Sequence, residues 1–108
     1  MDILRLYSND TLQEPRFEWD ERKSQANLEK HGIDFGEARR LWEDRWRITF
    51  SISCSAERRQ GTIAFYAGGC WTAIYTVRNG AHRIISVRRS TPKEVARYDK
   101  ARNDRSGV

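Results

Sequence analysis

Between Thr62 and Arg89 three strand-like runs are separated by two turn dipeptides, an arrangement that few folds accept. Thr62 to Ala67, Cys70 to Val77 and Arg83 to Arg89 are rich in β-branched and aromatic residues. Gly68-Gly69 and a loop containing Asn79-Gly80 lie between them, and both dipeptides suit the positive φ angles of a two-residue hairpin. The pattern predicts an antiparallel meander. With two-residue turns its register follows, because paired residues share a face and neighbours alternate. Ile63 is expected opposite Ile74, Thr76 opposite Arg83, Ile74 opposite Ile85 and Arg59 opposite Arg78. One face then carries Ile63, Phe65, Ile74, Ile85 and Val87 as core, with Arg59, Arg78 and Arg83 clustered at one end and Arg89 at the other. The opposite face carries Tyr66, Trp71, Tyr75, His82 and Arg88, with Trp71 directly opposite Arg88.

The last strand runs into a sharply specified corner. Thr91 is placed as an N-cap, Pro92 at the first helical position and Glu94 where it closes a capping box, so a helix starts there. Upstream, Phe17 and Trp19 alternate with acids as in a short edge strand, and Asp20 caps a mostly polar helix that ends near His31 with Gly32 as its C′ residue. Asp34 caps a second helix, Phe35 to about Asp44, with Phe35, Ala38, Leu41 and Trp42 at helical spacing. A first strand then alternates through Ile48, Phe50, Ile52 and Cys54. The expected class is α+β: two N-terminal helices, a four-stranded antiparallel sheet and one C-terminal helix.

A chain of 108 residues supports one domain and one small core. Residues 1–16 read as an N-terminal extension and 17–108 as the domain. Cys54 and Cys70 lack metal or redox spacing and are expected to be buried apolar residues. No apolar run approaches the roughly 20 residues that cross a bilayer, and the first ten residues lack the apolar core of a signal peptide, so a cytoplasmic protein that avoids membranes is expected.

Lys and Arg number 20 against 15 Asp and Glu, giving a net charge of +5. Arg far outnumbers Lys, and guanidinium groups suit bidentate phosphate contacts, so the composition favours nucleic acid as partner. Arg59, Arg78 and Arg83 would repel one another unless they meet a phosphate or nearby acids such as Glu57. Arg88 beside Trp71 offers a surface on which a base could stack. Adjacent Arg88 and Arg89 must point to opposite faces of a regular strand, which places the chemistry at the strand's end, with Arg59 joining it and Arg83 structural. Lys30-His31 suits the negative end of a helix dipole, while histidine is also the side chain that exchanges protons near neutral pH. No paired-carboxylate metal motif, phosphate-binding glycine loop or Ser-His-Asp candidate occurs, so neither metal nor cofactor is expected.

Two blocks carry a family resemblance. F-E-W-D-E-R-K-S-Q-A-N-L-E-K-H-G-I-D-F-G-E-A, residues 17–38, and R-I-I-S-V-R-R-S-T-P-K-E-V-A-R-Y, residues 83–98, resemble the opening and closing motifs of the BrnT-type ribonuclease toxins of type II toxin–antitoxin systems. The resemblance implies a RelE-like fold, metal-independent RNA cleavage that inhibits translation, and a hetero-oligomer with a ribbon-helix-helix antitoxin, through which alone operator DNA would be contacted. Carried onto this chain, it assigns catalysis to Arg59, Arg88, Arg89 and His31, and RNA binding to Lys23 and Lys30, beside Arg78, Arg83 and Trp71 from the sheet register. The chain departs from the family pattern at Ser24, Trp42, Arg45 and Ala64. The competing reading is a non-catalytic module in which the same arginines grip RNA or an acidic protein.

Overall fold

Strand pairing sets the frame on which every candidate residue sits. The computed structural model describes residues 15–53 and 57–106; Cys54 and residues 1–14 of the expected extension lie outside them. Among the described residues five strands form one sheet: β1 (Arg16–Glu18), β2 (Ile48–Ile52), β3 (Arg59–Tyr66), β4 (Gly69–Arg78) and β5 (Ala81–Arg89), in the order β1-β5-β4-β3-β2. The helices are α1 (Glu21–His31), α2 (Phe35–Ala38) and α3 (Pro92–Arg105), and a 3-10 helix spans Arg39–Glu43.

The α+β class holds, with three corrections. The sheet has five strands and is mixed, because the expected edge strand at Phe17 joins it in parallel, pairing Phe17 with His82 and Glu18 with Arg83. It runs the way β5 runs because its chain continues into α1, whose Asn27 is fixed farther along β5, at Val87. The second helix is one α-turn followed by the 3-10 helix. Its end delivers Asp44 to the edge of β3, where the carboxylate accepts the Phe65 N–H at 2.8 Å and the Tyr98 hydroxyl at 2.6 Å.

The third correction is register. The Asn79-Gly80 turn forms as expected, with φ of 50° and 80°, and Thr76 pairs with Arg83. The other turn is Ala67-Gly68, with φ of 51° and 85°, so Ile63 pairs with Thr72 and not Ile74. Alanine in the left-handed region costs about 1–2 kcal/mol. Gly69 is withheld from the turn because the Arg89 guanidinium lies against it: a Cβ there would meet Arg89 Nη1 at 1.9 Å. In β5 a bulge leaves Ile85 as the extra residue, since Ile74 pairs with Ser86 but Tyr75 with Ile84. Beyond the bulge the faces exchange. Trp71 therefore lies opposite Arg89, and Arg88 opposite Thr72.

The bulge and the helices also decide which face is core. Ala64, Trp71, Ala73, Ile84 and Val87 pack under α1 and α2 with Ile33, Phe35, Ala38 and Leu41. The face expected as core, that of Ile63, Phe65 and Ile74, is covered by α3: Ile63 and Thr72 are buried, but Phe65 is 53% exposed. The large rings of Trp71 and Tyr75 need the deeper layer under α1 and α2, whereas α3 turns only Tyr98 fully inward.

Candidate nucleic-acid interface

At the end of β5 the chain turns into α3 through the expected cap. Thr91 accepts the Glu94 N–H at 3.2 Å, and Glu94 accepts the Thr91 N–H at 2.9 Å. The same carboxylate holds Arg88 by two hydrogen bonds, 2.8 Å from Nη1 and 3.0 Å from Nη2, and accepts the Thr72 hydroxyl at 2.9 Å. The Arg88 contact, opposed by burial and aided by the Thr91 N–H and the Thr72 hydroxyl, pulls Glu94 down to about 2. Sequence reading assigned Glu94 to the cap alone. Its second role was not visible because it depends on the bulge that turns Arg88 to the α3 side.

Arg89 has different surroundings. It is exposed, and its Cζ lies 4.5 Å from the centroid of the Trp71 ring. Trp71 is only 6% exposed, and its indole N–H donates to the Tyr66 carbonyl at 3.0 Å. The ring is thus a fixed floor for the guanidinium, a cation–π contact of about 0.5–1 kcal/mol at an exposed site. With its face covered, Trp71 is a core residue under Arg89 and not the free stacking platform beside Arg88 that the sequence suggested. No carboxylate pairs with Arg89 among the described residues.

The other sequence-selected arginines lie at the far end of the sheet. Arg78 meets Glu57 at 2.7 Å, and Arg83 meets Glu18 at 3.3 Å. Of the two expected ways to offset their repulsion, a phosphate or nearby acids, these two arginines take the acids, Arg78 on the Glu57 that the sequence offered. Arg59 keeps a buried Nε without a hydrogen bond. It precedes Gln60, which pairs with Tyr75, four residues along β4 from the Trp71 that faces Arg89. At about 3.3 Å per residue that is roughly 13 Å or more, and the two side chains leave opposite faces, so Arg59 and Arg89 do not share one phosphate.

The opening motif resolves into structural and surface residues. Asp20 caps α1, its carboxyl held below the usual range by the Lys23 and Arg22 N–H groups, and Gly32 closes the helix at φ 82°. Buried Ser24 accepts the Phe35 N–H at 2.9 Å. Asn27 donates to the carbonyls of Ile33 and Val87, at 2.8 and 2.9 Å, and accepts the Val87 N–H at 3.1 Å, sealing the edge of β5 where β1 has ended. Lys23 and Lys30 are exposed and His31 is half-buried, one helical turn beyond that anchor.

Among the described residues no three His, Cys, Asp or Glu side chains are grouped to hold a metal ion, and no helix is long and apolar enough to cross a membrane. No curated protein matches the chain. A family model described as "Ribonuclease toxin, BrnT, of type II toxin-antitoxin system" matches residues 19–94, a span that begins at the base of α1 and ends on the carboxylate that holds Arg88.

Proposed function

The chain belongs to the BrnT family of ribonuclease toxins of type II toxin–antitoxin systems, and from that premise we propose that it cleaves RNA without a metal ion at the corner between β5 and α3. The observation that carries this reading is the state of Arg89, an exposed guanidinium fixed on Trp71 and unpaired with any described carboxylate, while Arg78, Arg83 and Arg88 are each matched to an acid. In the proposed step the ribose 2′-hydroxyl loses its proton and attacks the adjacent phosphorus. The bond to the 5′-oxygen breaks, giving a 2′,3′-cyclic phosphate and a 5′-hydroxyl. Arg89 stabilises the added negative charge at phosphorus. Arg88, oriented by Glu94, presents its remaining N–H groups on the other side of the strand end. His31 is the proposed proton carrier, and Lys23 and Lys30 the contacts to flanking phosphates. Arg59 is left as a remote phosphate contact, and Arg78 and Arg83 as structural.

The proposed partner is a ribbon-helix-helix antitoxin that covers the corner with acidic residues, forms a hetero-oligomer with the toxin in the cytoplasm and itself carries the contacts to operator DNA. Purified toxin freed of antitoxin is expected to degrade RNA in the presence of EDTA. Arg89→Ala should abolish cleavage with a melting temperature lowered by only the few degrees that a contact of about 0.5–1 kcal/mol represents, whereas Arg88→Ala should lose activity and more stability together. Wild-type protein that binds RNA but leaves it intact would favour the non-catalytic module instead.

A further inference from the structure

The edge of β3 carries a second feature that the proposed cleavage step does not use. β2 begins opposite Ile63, so among the described residues no strand lies beside Ala64, Phe65 and Tyr66 on that side. Asp44 fills the position of a backbone acceptor there, taking the Phe65 N–H, and its other oxygen accepts the Trp46 N–H at 2.9 Å. Burial opposes its ionisation, but the bonds from Phe65, Tyr98 and Trp46 hold the carboxyl below the usual range. A carboxylate in place of a strand leaves a groove of about 390 Å³ between the 3-10 helix, the end of β3 and α3.

The chemistry of this groove narrows its occupant. Trp46, Phe65 and Tyr66 supply aromatic surface, Arg40 and Arg102 supply charge, and among the described residues no aliphatic side chain lines it. Phe65 is a large ring left 53% exposed on a strand whose preceding three residues are fully buried. Arg40 is engaged by Glu43 in an exposed pair at 3.2 Å, which a competing anion displaces at little cost. Arg102 has no carboxylate partner among the described residues. An apolar peptide side chain would meet carboxylates and guanidinium groups here. A nucleotide meets a ring for its base, arginines for its phosphate and a Glu43 carboxylate for its amino group.

The groove adjoins the Arg89 seat. Tyr66 lines it, and the Tyr66 carbonyl accepts the indole N–H of the ring on which Arg89 lies. We propose that the groove is a nucleotide subsite of the RNA substrate: Phe65 lies on the α3 face and Arg89 on the other, so the RNA passes round the Ala67-Gly68 end of the sheet, and a base removed from the scissile phosphate stacks on Phe65 while Arg102 holds a neighbouring phosphate. The proposal rests on the reading of Arg89 as the site of cleavage, and it makes this groove the source of cleavage-site preference.

The test uses full-length toxin, a single-stranded RNA of defined sequence and its uncleavable 2′-O-methyl copy. Phe65→Ala should weaken binding of the uncleavable RNA about tenfold, the loss expected of one stacked base, and shift which positions of the cleavable RNA are cut. Arg102→Gln should reduce the dependence of log affinity on log salt by about 0.7, one phosphate's share for a single strand. If both variants bind and cut like the wild type, the subsite does not exist. If they bind RNA normally but lose antitoxin affinity, the groove is a protein-docking surface and the proposal is overturned. Arg89→Ala, measured beside them, separates the two readings: cleavage that survives it removes the premise, whereas cleavage lost in Arg89→Ala and unaltered in Phe65→Ala and Arg102→Gln removes the subsite alone.

Discussion

One methyl group is enough to test the seat of Arg89. The φ of Gly69 is not in the left-handed region, so its backbone accepts alanine, but the added Cβ would stand 1.9 Å from Arg89 Nη1 and displace the guanidinium from Trp71. Gly69→Ala is therefore expected to lose RNA cleavage nearly as fully as Arg89→Ala, with the same few-degree fall in melting temperature from the lost Trp71 contact, as an RNA degradation assay and a thermal melt would show. Glu94 allows a complementary change. Glu94→Gln keeps hydrogen-bonding groups for the cap but removes the charge that holds Arg88, a loss of about 1–3 kcal/mol for a charge-assisted bond. With a folded value of about 2 against an ordinary 4.5, Glu94 contributes stability that is fully present above 4.5 and lost as pH falls toward 2. Urea denaturation at neutral pH and near pH 3 should show the wild type losing more of its stability between the two than Glu94→Gln.

At the scale of elements, α1 contributes more through one amide than through apolar burial. Its only buried residues are Ser24 and Asn27. Asn27 stands in for a missing strand by satisfying both backbone groups of Val87. Asn27→Ala leaves those groups and the Ile33 carbonyl unmatched in a buried place, so a loss of about 2–4 kcal/mol is expected in chemical denaturation. The elements read correctly from sequence were those whose signals are local. The caps at Asp20 and Thr91, the glycine stop at Gly32 and the Asn79-Gly80 turn each depend on a few adjacent residues. What failed was non-local. Gly68-Gly69 offers two glycines for one turn, and the choice was made by Arg89, twenty residues downstream. Nothing around Ile85 marks a bulge, and one extra residue there exchanged the partners of Trp71 and divided the arginines differently between the faces. The corner was legible as the place where Arg88 and Arg89 diverge. Which of them Glu94 would neutralise was not.

For the whole molecule, acid sensitivity is built into the buried layer. His82 stacks on Tyr75 with ring centroids 4.8 Å apart and meets Phe17 and Trp42 edge-on. Burial, with help from nearby Arg47, pushes its imidazole below the ordinary 6.5. The folded protein therefore keeps His82 neutral where the unfolded chain takes up a proton, and stability falls as pH drops below 6.5. His82→Phe preserves the ring packing without a titrating group. Its melting temperature should fall less than that of the wild type between about pH 7.5 and about pH 5.5, and an equal fall would place the acid sensitivity elsewhere.

The parallel strand β1 has a practical consequence. Arg16 pairs with Ala81 and donates to the Asn79 carbonyl at 2.8 Å, so β1 begins beside the Asn79-Gly80 turn. Arg89 closes β5 eight residues beyond Ala81, about 26 Å away along the strand. A fluorophore carried at residue 15 is thus held at the end of β5 remote from Arg89. Residue 15 is where the protein can be labelled for the measurements described above without touching the corner.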